Sequence, residues 1–490
     1  MSNIAPSILG IDVGTSSLKA VLYSIDGQII SIVNEKYSYE TCKTGWAEID
    51  PEVWWEAFKK AMTSLRKSGI SLDQIQSIAF TGQMHSAVLL DRKDNVICPS
   101  ILWLDRRAIK ETEELQSMFQ IPLYQLNSTY TISKLLWIYK NRNDITERIS
   151  KIIWPKDFLR WKMTGQYYTD RTEAYGSGLY DWEKNTWAID RIAAVGLKPK
   201  AMPTIQPASH DGGTIHKHIA DELGFSESIK VVIGMGDMAA LIGGAPPKQG
   251  RVVCSLGSSS MIFTTIESSK IISVPNDALY KLNMENYHLF GGVSSTTGAA
   301  IMWFYENILS GLENKIEFNE WIHEALEIEP GSDGVCFIPY LTGERSPYWS
   351  DDIRGGFYGL KLSHDKRHLA RAVLEGIAYS LKHLLDLYEE SGVIVKELAL
   401  AAGGIRTPGL LQIIADVCQK DVFVYAGQET VTRVLFALSK ENLGLGNFEN
   451  NLMSTFNKPE IVNHSKQNKL AYEKVYSNYL KFSKFASSLN

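Results

Sequence analysis

The chain has 490 residues, of which 44% are apolar and 21% are charged, and its formal net charge is −5. This length exceeds what one hydrophobic core usually serves, so we expect two domains of a globular protein. The slight negative charge excludes the electrostatic footprint of a nucleic-acid-binding protein. No apolar stretch has membrane-spanning length, and residues 1–6 lack the basic start of a signal peptide. We therefore expect a cytoplasmic protein with no membrane partner.

The five cysteines are widely scattered and show no paired spacing of a zinc site. An odd number with wide spacing is typical of reduced thiols in a cytoplasm. We expect all five to be buried as small apolar side chains. They are Cys42, Cys98, Cys254, Cys336 and Cys418.

The first half of the chain gives a few predicted strands first and then mostly helices. Short apolar runs predict strands at residues 8–12, 18–24, 28–33, 76–80, 87–91 and 231–233. Apolar residues at helical spacing predict helices at residues 52–65, 133–141 and 156–163. The segment from Trp103 to Arg107 is predicted to open a further, charged helix.

The second half begins by repeating the plan of the first. Residues 246–250, Pro-Pro-Lys-Gln-Gly, are the best linker candidate, which gives domains 1–246 and 247–490. Two strands around a turn at residues 257–260 follow, with Ser255 where the opening element has Asp12. This indicates a weak internal duplication. The remaining predicted elements are helices at 369–388, 409–418 and 471–485 and a strand at 397–401.

The turn after the first strand carries groups that a nucleotide site uses. Gly14 lets the backbone approach a ligand closely, and Thr15 and Ser16 offer donors to phosphate oxygens. Lys19 lies nearby, and Asp12 at the strand end suits a hydrated Mg²⁺. The alternative is a polar hairpin turn without a ligand.

Two further turns after apolar strands carry similar residues, and the three turns together indicate a nucleotide held between two domains. None of them matches the P-loop or the dinucleotide fingerprint, so those nucleotide folds are disfavoured. The candidate nucleotide-binding residues are Gly14, Thr15, Ser16, Lys19, Gly257, Ser258, Ser259, Gly403, Gly404 and Thr407.

Asp237 closes a strand in a Gly-x-Gly-Asp context, just before the linker. Phosphoryl transfer needs an acceptor for the proton of the substrate hydroxyl, together with neutralisation of phosphate charge. Asp237 fits the acceptor, and Asp12 with Mg²⁺ fits the neutralising role. The alternative for Asp237 is an N-cap of a helix that starts near Met238.

A second group of residues is suited to a sugar. His85 could exchange a hydrogen bond with a polyol hydroxyl, or it could be a satisfied core histidine. Trp103 and Asp105 combine an aromatic face with a carboxylate, as sugar sites do, or they form a helix start with a buried aromatic. Glu344 and Arg345 are interpreted as an ion-paired structural corner. The candidate substrate-binding residues are Gln83, Met84, His85, Trp103, Asp105 and Asp237.

These residues resemble the motifs of the FGGY carbohydrate kinases over nearly the full chain, from residue 7 to 485. The resemblance implies an α/β protein of two actin-like, ribonuclease-H-like domains, with ATP and sugar in the interdomain cleft. It also implies Asp237 as the base, Asp12 near Mg²⁺, and Met84, His85, Trp103 and Asp105 around the sugar. The matching motifs are Ile11-Asp12-Val13-Gly14-Thr15, Trp103-x-Asp105-x-Arg107, Gly236-Asp237, Leu256-Gly257-Ser258-Ser259, Gly343-Glu344-Arg345-Ser346-Pro347 and Gly403-Gly404.

Within this family, Gly82-Gln83-Met84-His85 and Gly45-Trp46-Ala47-Glu48 are similar to the xylulokinase signature. This implies ATP-dependent phosphorylation of D-xylulose to D-xylulose 5-phosphate. Met238 stands where these kinases usually have Asn or Gln. A gluconate kinase or another polyol kinase of the family is the first alternative, and an actin-like ATPase without a sugar acceptor is the second. The assembly is left open, with a homodimer as one option.

Overall fold

The structure is a computed structural model that describes residues 6–121, 126–181, 184–246, 248–267, 279–283, 287–309, 317–401, 407–425 and 429–489. The chain forms two compact units. The first comprises Met1–Pro246, Leu282–Asn286 and Thr430–Phe456. The second comprises Pro247–Lys281, Tyr287–Glu429 and Asn457–Asn490.

Strands and helices alternate along both units. The strands are β1 (Ser7–Val13), β2 (Ser17–Ser24), β3 (Ile29–Lys36), β4 (Glu48–Ile49), β5 (Ile75–Gly82), β6 (Val88–Leu90), β7 (Ser100–Ile101), β8 (Lys151–Ile153), β9 (Tyr168–Asp170), β10 (Tyr180–Asp181), β11 (Thr186–Trp187), β12 (Thr204–Gln206), β13 (Lys230–Gly236), β14 (Arg251–Leu256), β15 (Ser260–Glu267), β16 (Tyr280–Asn283), β17 (Tyr287–Ser294), β18 (Cys336–Ile338), β19 (Gly356–Tyr358), β20 (Glu397–Ala401), β21 (Val422–Tyr425) and β22 (Glu460–Val462). The α-helices are α1 (Glu52–Lys67), α2 (Ile109–Phe119), α3 (Thr131–Asn141), α4 (Asn143–Thr146), α5 (Pro155–Thr164), α6 (Arg171–Gly176), α7 (Ile189–Ala194), α8 (Lys217–Leu223), α9 (Asp237–Ala240), α10 (Gly298–Phe304), α11 (Phe318–Leu326), α12 (Lys366–Glu390), α13 (Leu410–Cys418), α14 (Thr430–Asn442), α15 (Phe448–Met453) and α16 (Lys469–Ser487).

The main sheet of the first unit has the strand order β13-β5-β1-β2-β3. β1, β2 and β3 are antiparallel neighbours, whereas β5 and β13 are added parallel to β1. Helix α1 covers one face because Trp54, Phe58 and Met62 recur at helical spacing and are buried against the sheet. Each such side chain contributes roughly 1.5–3 kcal/mol when it is fully buried.

Helix α14 packs on the opposite side of β1 within the same unit. A Cβ at Gly10 of β1 would lie 3.2 Å from the Thr432 Cβ, so glycine permits the close approach of the helix. Phe436 is buried against the Tyr23 ring, with the two ring centroids 5.3 Å apart. The domain boundary expected near residue 246 coincides with a unit boundary, but residues 430–456, assigned above to domain 247–490, group with the first unit.

The main sheet of the second unit has the order β16-β17-β15-β14-β20-β21-β22. Its inner strands β17, β15, β14, β20 and β21 repeat the order and directions of β3, β2, β1, β5 and β13. Helix α12 is buried on this sheet and begins at an Asp365 cap. The repeated topology confirms two α/β units of the actin-like type and agrees with the duplication that the sequence indicates.

Two expectations about local structure are wrong. The helix expected to open at residues 103–107 begins only at Ile109, because Asp105 accepts the backbone N–H of Arg107 and closes a turn there. Cys42 is exposed and Cys98 is half-buried, although the other three cysteines are buried as expected. Within the described residues, no helix is both long and apolar enough to span a bilayer.

Candidate active site

The candidate residues of the first unit gather at one edge of its sheet. β1 runs parallel to β5, with Asp12 opposite Thr81, and β13 stays paired with β5 as far as Gly236. The carboxyl ends of these three strands therefore meet at one edge, which is where open α/β sheets bind ligands. Asp12, the segment 83–85 and Asp237 all lie at this edge.

The turn after β1 is fixed through the backbone of Gly14. Its N–H donates to the Ser17 carbonyl at 2.9 Å. Its carbonyl accepts from the Tyr37 hydroxyl at 2.6 Å and from the Gln83 amide at 3.2 Å. Gln83, predicted to bind the sugar, thus joins the turn to the end of β5.

The side chains of this turn are within reach of a ligand. Ser16 is exposed, and Gly14, Thr15 and Lys19 are half-buried. Lys19 lies opposite Asp12 in the antiparallel pair, so the two side chains share one face of the sheet. A carboxylate and an ammonium group therefore flank a turn of small residues, an arrangement that suits a phosphate group bound together with a metal ion.

A bulge in β13 precedes the candidate base. Gly234 has φ 75°, and a Cβ there would lie 1.7 Å from the Phe80 carbonyl oxygen. Only glycine fits this position, and the register of β13 against β5 shifts there. The bulge sets the direction in which Gly236 and Asp237 leave the sheet.

Asp237 is the first residue of α9, and its Oδ1 accepts the N–H of Met238 at 2.7 Å. The surrounding protein and the negative charge of Asp12 raise the pKa of Asp237 to about 7, although the Met238 bond opposes the rise. Asp237 is therefore only partly an N-cap. An N-cap side chain accepts the N–H of the second or third helical residue, whereas this side chain accepts the N–H of the next residue. A carboxyl group with a pKa near neutrality suits a general base.

His85 is held in an unusual backbone conformation. Its φ is 70°, which is uncommon for a residue other than glycine and clusters at functional sites. Its carbonyl accepts from the Thr131 hydroxyl at 2.8 Å, and its Nδ1 lies 2.5 Å from the Gly176 carbonyl oxygen. Because a carbonyl can only accept, Nδ1 carries the proton and Nε2 is left as an acceptor.

The electrostatics of His85 follow from its burial. Burial lowers the pKa of His85 to about 3; the bond to Gly176 opposes this, and the positive charge of Lys134 adds to it. The imidazole is therefore neutral across physiological pH.

Two glycines make room for Met84. A Cβ at Gly236 would lie 2.6 Å from the Met84 Sδ, and a Cβ at Gly176 would lie 2.5 Å from the Met84 Cε. The Gly176 Cβ would also lie 3.2 Å from the His85 Cε1. Met84 and His85 are therefore packed side by side against α6 and the end of β13.

Trp103 and Asp105 take different positions in the site. The indole N–H of Trp103 donates to the Thr15 hydroxyl at 2.9 Å, which links the sugar-side aromatic to the candidate phosphate turn. Asp105 is fully buried, and its oxygens accept from the Ala47 N–H at 2.6 Å and from the Arg107 guanidinium at 2.9 and 2.7 Å. These bonds make Asp105 an anchor for the turn that carries Trp103.

The second unit presents its own candidate phosphate turn after β14. Gly257 and Ser258 are exposed, and Ser259 is half-buried. The turn is held by backbone N–H groups of Thr297 and Gly298, which donate to the Ser258 and Gly257 carbonyls at 2.8 and 2.9 Å. The tips of this turn therefore remain accessible while its backbone is fixed.

The remaining candidates of this unit are only partly described. Thr407 is buried, and its carbonyl accepts from the Leu410 N–H at the start of α13. Gly403 and Gly404 lie outside the described residues. Glu344, interpreted as a structural corner, is buried and accepts from the Ser295 N–H at 2.6 Å.

The donor set at the edge of the first sheet fits Mg²⁺ bound together with a nucleotide. Among the described residues, no three or more His, Cys, Asp or Glu side chains form a metal-binding group. Mg²⁺ in kinases is held by one or two carboxylates together with phosphate oxygens and water. Asp12 supplies such a carboxylate, close enough to Asp237 to raise its pKa.

Sequence reasoning missed three residues that support the site: Tyr37, Gly176 and Thr172. Tyr37 and Gly176 carry no local signal, because each acts through a contact distant in sequence. Thr172 follows Asp170 in an Asp-x-Thr helix start, and this capping pattern could have drawn attention to it.

Comparison with known proteins identifies relatives of this chain. The models of the N-terminal and C-terminal domains of the FGGY family of carbohydrate kinases match residues 7–243 and 252–433. A xylulose kinase of Lactococcus lactis is 32% identical over 428 residues, which cover 85% of this chain and 83% of that protein. A gluconokinase of Bacillus subtilis is 28% identical over 437 residues, covering 86% of this chain and 85% of that protein.

A solved structure extends the similarity to the fold. The crystal structure of a xyloylose kinase from Brucella ovis superposes with a TM-score of 0.90 at 28% identity, covering 99% of this chain and 100% of that chain. The chain belongs to the FGGY family of carbohydrate kinases and is an ATP-dependent sugar kinase.

Proposed function

We propose that this kinase transfers the γ-phosphoryl group of ATP to a hydroxyl of D-xylulose, giving D-xylulose 5-phosphate and ADP. The observation that carries the proposal is the position of Asp237. It lies at the same sheet edge as Asp12, Met84 and His85, with a pKa of about 7. The similarity to the L. lactis xylulose kinase supports the choice of sugar.

Asp237 acts as the general base in this proposal. Its carboxylate takes the proton of the sugar hydroxyl while that oxygen forms a bond to the γ-phosphorus and the bond from the γ-phosphorus to ADP breaks. Asp12 would hold Mg²⁺, which would supply neutralisation of the phosphate charge. Gly14, Thr15 and Ser16 contribute backbone and hydroxyl donors to phosphate oxygens, since their turn is already rigid.

The remaining nucleotide contacts are assigned to Lys19 and to the turn of the second unit. Lys19 adds a positive charge on the Asp12 face of the sheet. In the second unit, the exposed tips of the turn at Gly257, Ser258 and Ser259 offer further donors to phosphate oxygens.

The sugar is bound by a neutral acceptor and an aromatic face. His85 Nε2 accepts a sugar hydroxyl, because Nδ1 is committed to the Gly176 carbonyl. Trp103 covers an apolar part of the carbon chain, and its ring is oriented by Thr15. Gln83 and Asp105 hold the surrounding backbone, since their polar atoms already bond to Gly14, Ala47 and Arg107.

Gluconate is the second candidate acceptor, because the residue that follows the base weakens the selection of D-xylulose. Met238 follows the base and cannot make the two-point hydrogen bond that Asn or Gln would offer to a sugar hydroxyl. Selection at that hydroxyl is therefore weaker. The similarity to the B. subtilis gluconokinase is the reason to test gluconate beside the ketoses.

The test is ADP production from ATP with D-xylulose, D-ribulose, L-xylulose and gluconate, compared through kcat/KM. We expect D-xylulose to give the highest value, with measurable turnover of a second ketose. Met238→Asn is expected to widen the preference for D-xylulose. A wild-type enzyme that prefers gluconate would overturn the choice of sugar, and ATP turnover independent of any sugar would overturn the kinase assignment of the site.

A further inference from the structure

A buried polar chain lies behind the candidate base. The N–H of Gly236, the residue before Asp237, donates to the Thr172 Oγ1 at 2.8 Å. The Thr172 hydroxyl in turn donates to the Asp170 Oδ2 at 2.5 Å. The Thr172 hydroxyl makes both bonds because a hydroxyl can accept one hydrogen bond and donate another. Thr172 therefore ties the backbone that carries Asp237 to the start of α6.

The far end of this chain is anchored by buried charges. Asp170 Oδ1 lies 3.0 Å from the Lys156 Nζ, which lies 2.7 Å from the Asp157 Oδ1. The Asp157 Oδ2 accepts from the Thr169 hydroxyl at 2.7 Å. All these residues are at most 3% exposed. Ion pairs and hydrogen bonds among buried groups hold their members in one arrangement.

The protonation state of the chain keeps it intact at neutral pH. Burial works to lower the pKa of Lys156, but the charges of Asp157 and Asp170 raise it above its ordinary value, so the ammonium stays charged. Burial, together with Asp157, Asp170 and Asp237, raises the pKa of the neighbouring Glu173 well above its usual range, and Lys156 opposes the rise. The protonated form of Glu173 is therefore favoured, and Asp157 and Asp170 are the carboxylates that pair with Lys156.

The pairing of β13 with β5 restrains the position of Asp237 only weakly. After the bulge at Gly234, only Met235 and Gly236 pair with β5 before the chain turns into α9. Asp237 then projects from a helix of four residues, and Gly236 has no side chain to pack. The bond to Thr172 is thus a separate restraint on the last residue before the base.

We propose that Thr172 is a positioning residue for phosphoryl transfer: its hydroxyl, held by Asp170 and Lys156, fixes the Gly236 backbone so that the Asp237 carboxylate meets the sugar hydroxyl. This inference rests on the proposed role of Asp237 as the base. A displacement of about 1 Å at a reacting group costs roughly a hundredfold in rate.

The experiment compares Thr172→Val, which keeps the shape and removes the hydroxyl, with Thr172→Ser, which keeps the hydroxyl. We expect Thr172→Val to lower kcat roughly ten- to a hundredfold with the KM for ATP unchanged. Thr172→Ser should stay within about threefold of wild type, because its hydroxyl restores the bond. If Thr172→Val does not fold, Thr172→Ala serves in the same comparison.

Thr169→Val is the matched control. It removes another buried hydroxyl of the same cluster, one that bonds to Asp157 and makes no direct bond to Gly236. It should lower the thermal unfolding midpoint to a similar extent while kcat stays close to wild type. Equal losses of kcat in Thr169→Val and Thr172→Val, or wild-type kcat in Thr172→Val, would overturn the inference.

Asp237→Asn separates this inference from the proposed function. If Asp237→Asn retains transfer, the base assignment itself fails. If Asp237→Asn loses transfer while Thr172→Val keeps it, the base assignment stands and only the positioning role of Thr172 fails.

Discussion

His85 combines a positive φ, nearly complete burial and a ring nitrogen bonded to a backbone carbonyl. A non-glycine residue with such a backbone costs about 1–3 kcal/mol, which the surrounding structure must offset. The bonds to Thr131 and Gly176 supply that restraint. His85 follows β5, the strand that pairs with β13 before Asp237. Backbone strain at such a position is typical of a residue whose side chain has a function.

His85→Asn tests the side chain without disturbing the backbone, because Asn tolerates a positive φ. The variant removes the Nε2 acceptor, and an unpaired sugar hydroxyl costs about 1–3 kcal/mol. We expect the sugar KM to rise roughly ten- to a hundredfold and the ATP KM to stay unchanged. The exposed His218, changed to Asn, is the control and should leave both constants unchanged. A shift confined to ATP would contradict the assignment.

The pKa of about 3 at His85 makes a separate prediction about pH. The folded protein keeps this imidazole neutral far below the ordinary value of 6.5, so its acceptor function persists as the pH falls from 8 to about 5.5. We expect the difference in sugar KM between wild type and His85→Asn to be constant over this range. A difference that shrinks as the pH falls through about 6.5 would mean that His85 protonates there.

At the scale of elements, the site depends on how closely α6 approaches the ends of β5 and β13. Gly176 ends α6 and Gly236 ends β13, and both face Met84 without a Cβ. The side chains of Met84 and His85 fill the space so created. Small residues at these two termini therefore determine how Met84 and His85 pack at the proposed sugar site.

Gly176→Ala would place a Cβ 2.5 Å from the Met84 Cε, so Met84 and His85 must move. We expect a higher sugar KM and a lower kcat, with ATP binding in the absence of sugar unchanged. Gly356→Ala in β19 is the control, since its nearest neighbour would lie 3.5 Å away. Unaltered sugar kinetics in Gly176→Ala would show that this packing does not shape the sugar site.

The sequence was most informative for local elements. The strands on either side of the turns at Gly14 and Gly257 were predictable because apolar alternation and small turn residues lie within about 20 positions. Asp12 and Asp237 could be selected because each ends an apolar strand. The anchoring role of Asp105 and the contacts of Gly176 depend on partners 58 and 91 positions away, and no local pattern encodes them.

At the scale of the whole molecule, the chain returns to its first unit near its end. Residues Thr430–Phe456 group with Met1–Pro246, and α14 packs on β1. The sequence does not predict that α14 packs on β1, because an amphipathic helix does not specify which sheet it covers. The close contact of Gly10 with Thr432 permits this packing, and it is visible only when both residues are seen together.

A double-mutant cycle measures this long-range packing. The Tyr23 and Thr432 hydroxyls are 2.8 Å apart and buried, 409 positions apart in the chain. We expect Tyr23→Phe and Thr432→Val each to destabilise the first unit, with a coupling free energy of about 0.5–1.5 kcal/mol in the pair. Urea unfolding followed by tryptophan fluorescence gives the values. Strictly additive effects would contradict a shared hydrogen bond.

The most direct measurement is the rate of phosphoryl transfer from ATP to D-xylulose by wild type and Asp237→Asn, followed by ³¹P NMR of the sugar phosphate. Asn keeps the size of the side chain and cannot accept the proton, so the rate should fall by about 10²–10⁴-fold. ATP binding, measured by calorimetry without sugar, should stay within about threefold of wild type, because Asp237 acts on the acceptor. Formation of sugar phosphate by Asp237→Asn at the wild-type rate would contradict the assignment of Asp237 as the base.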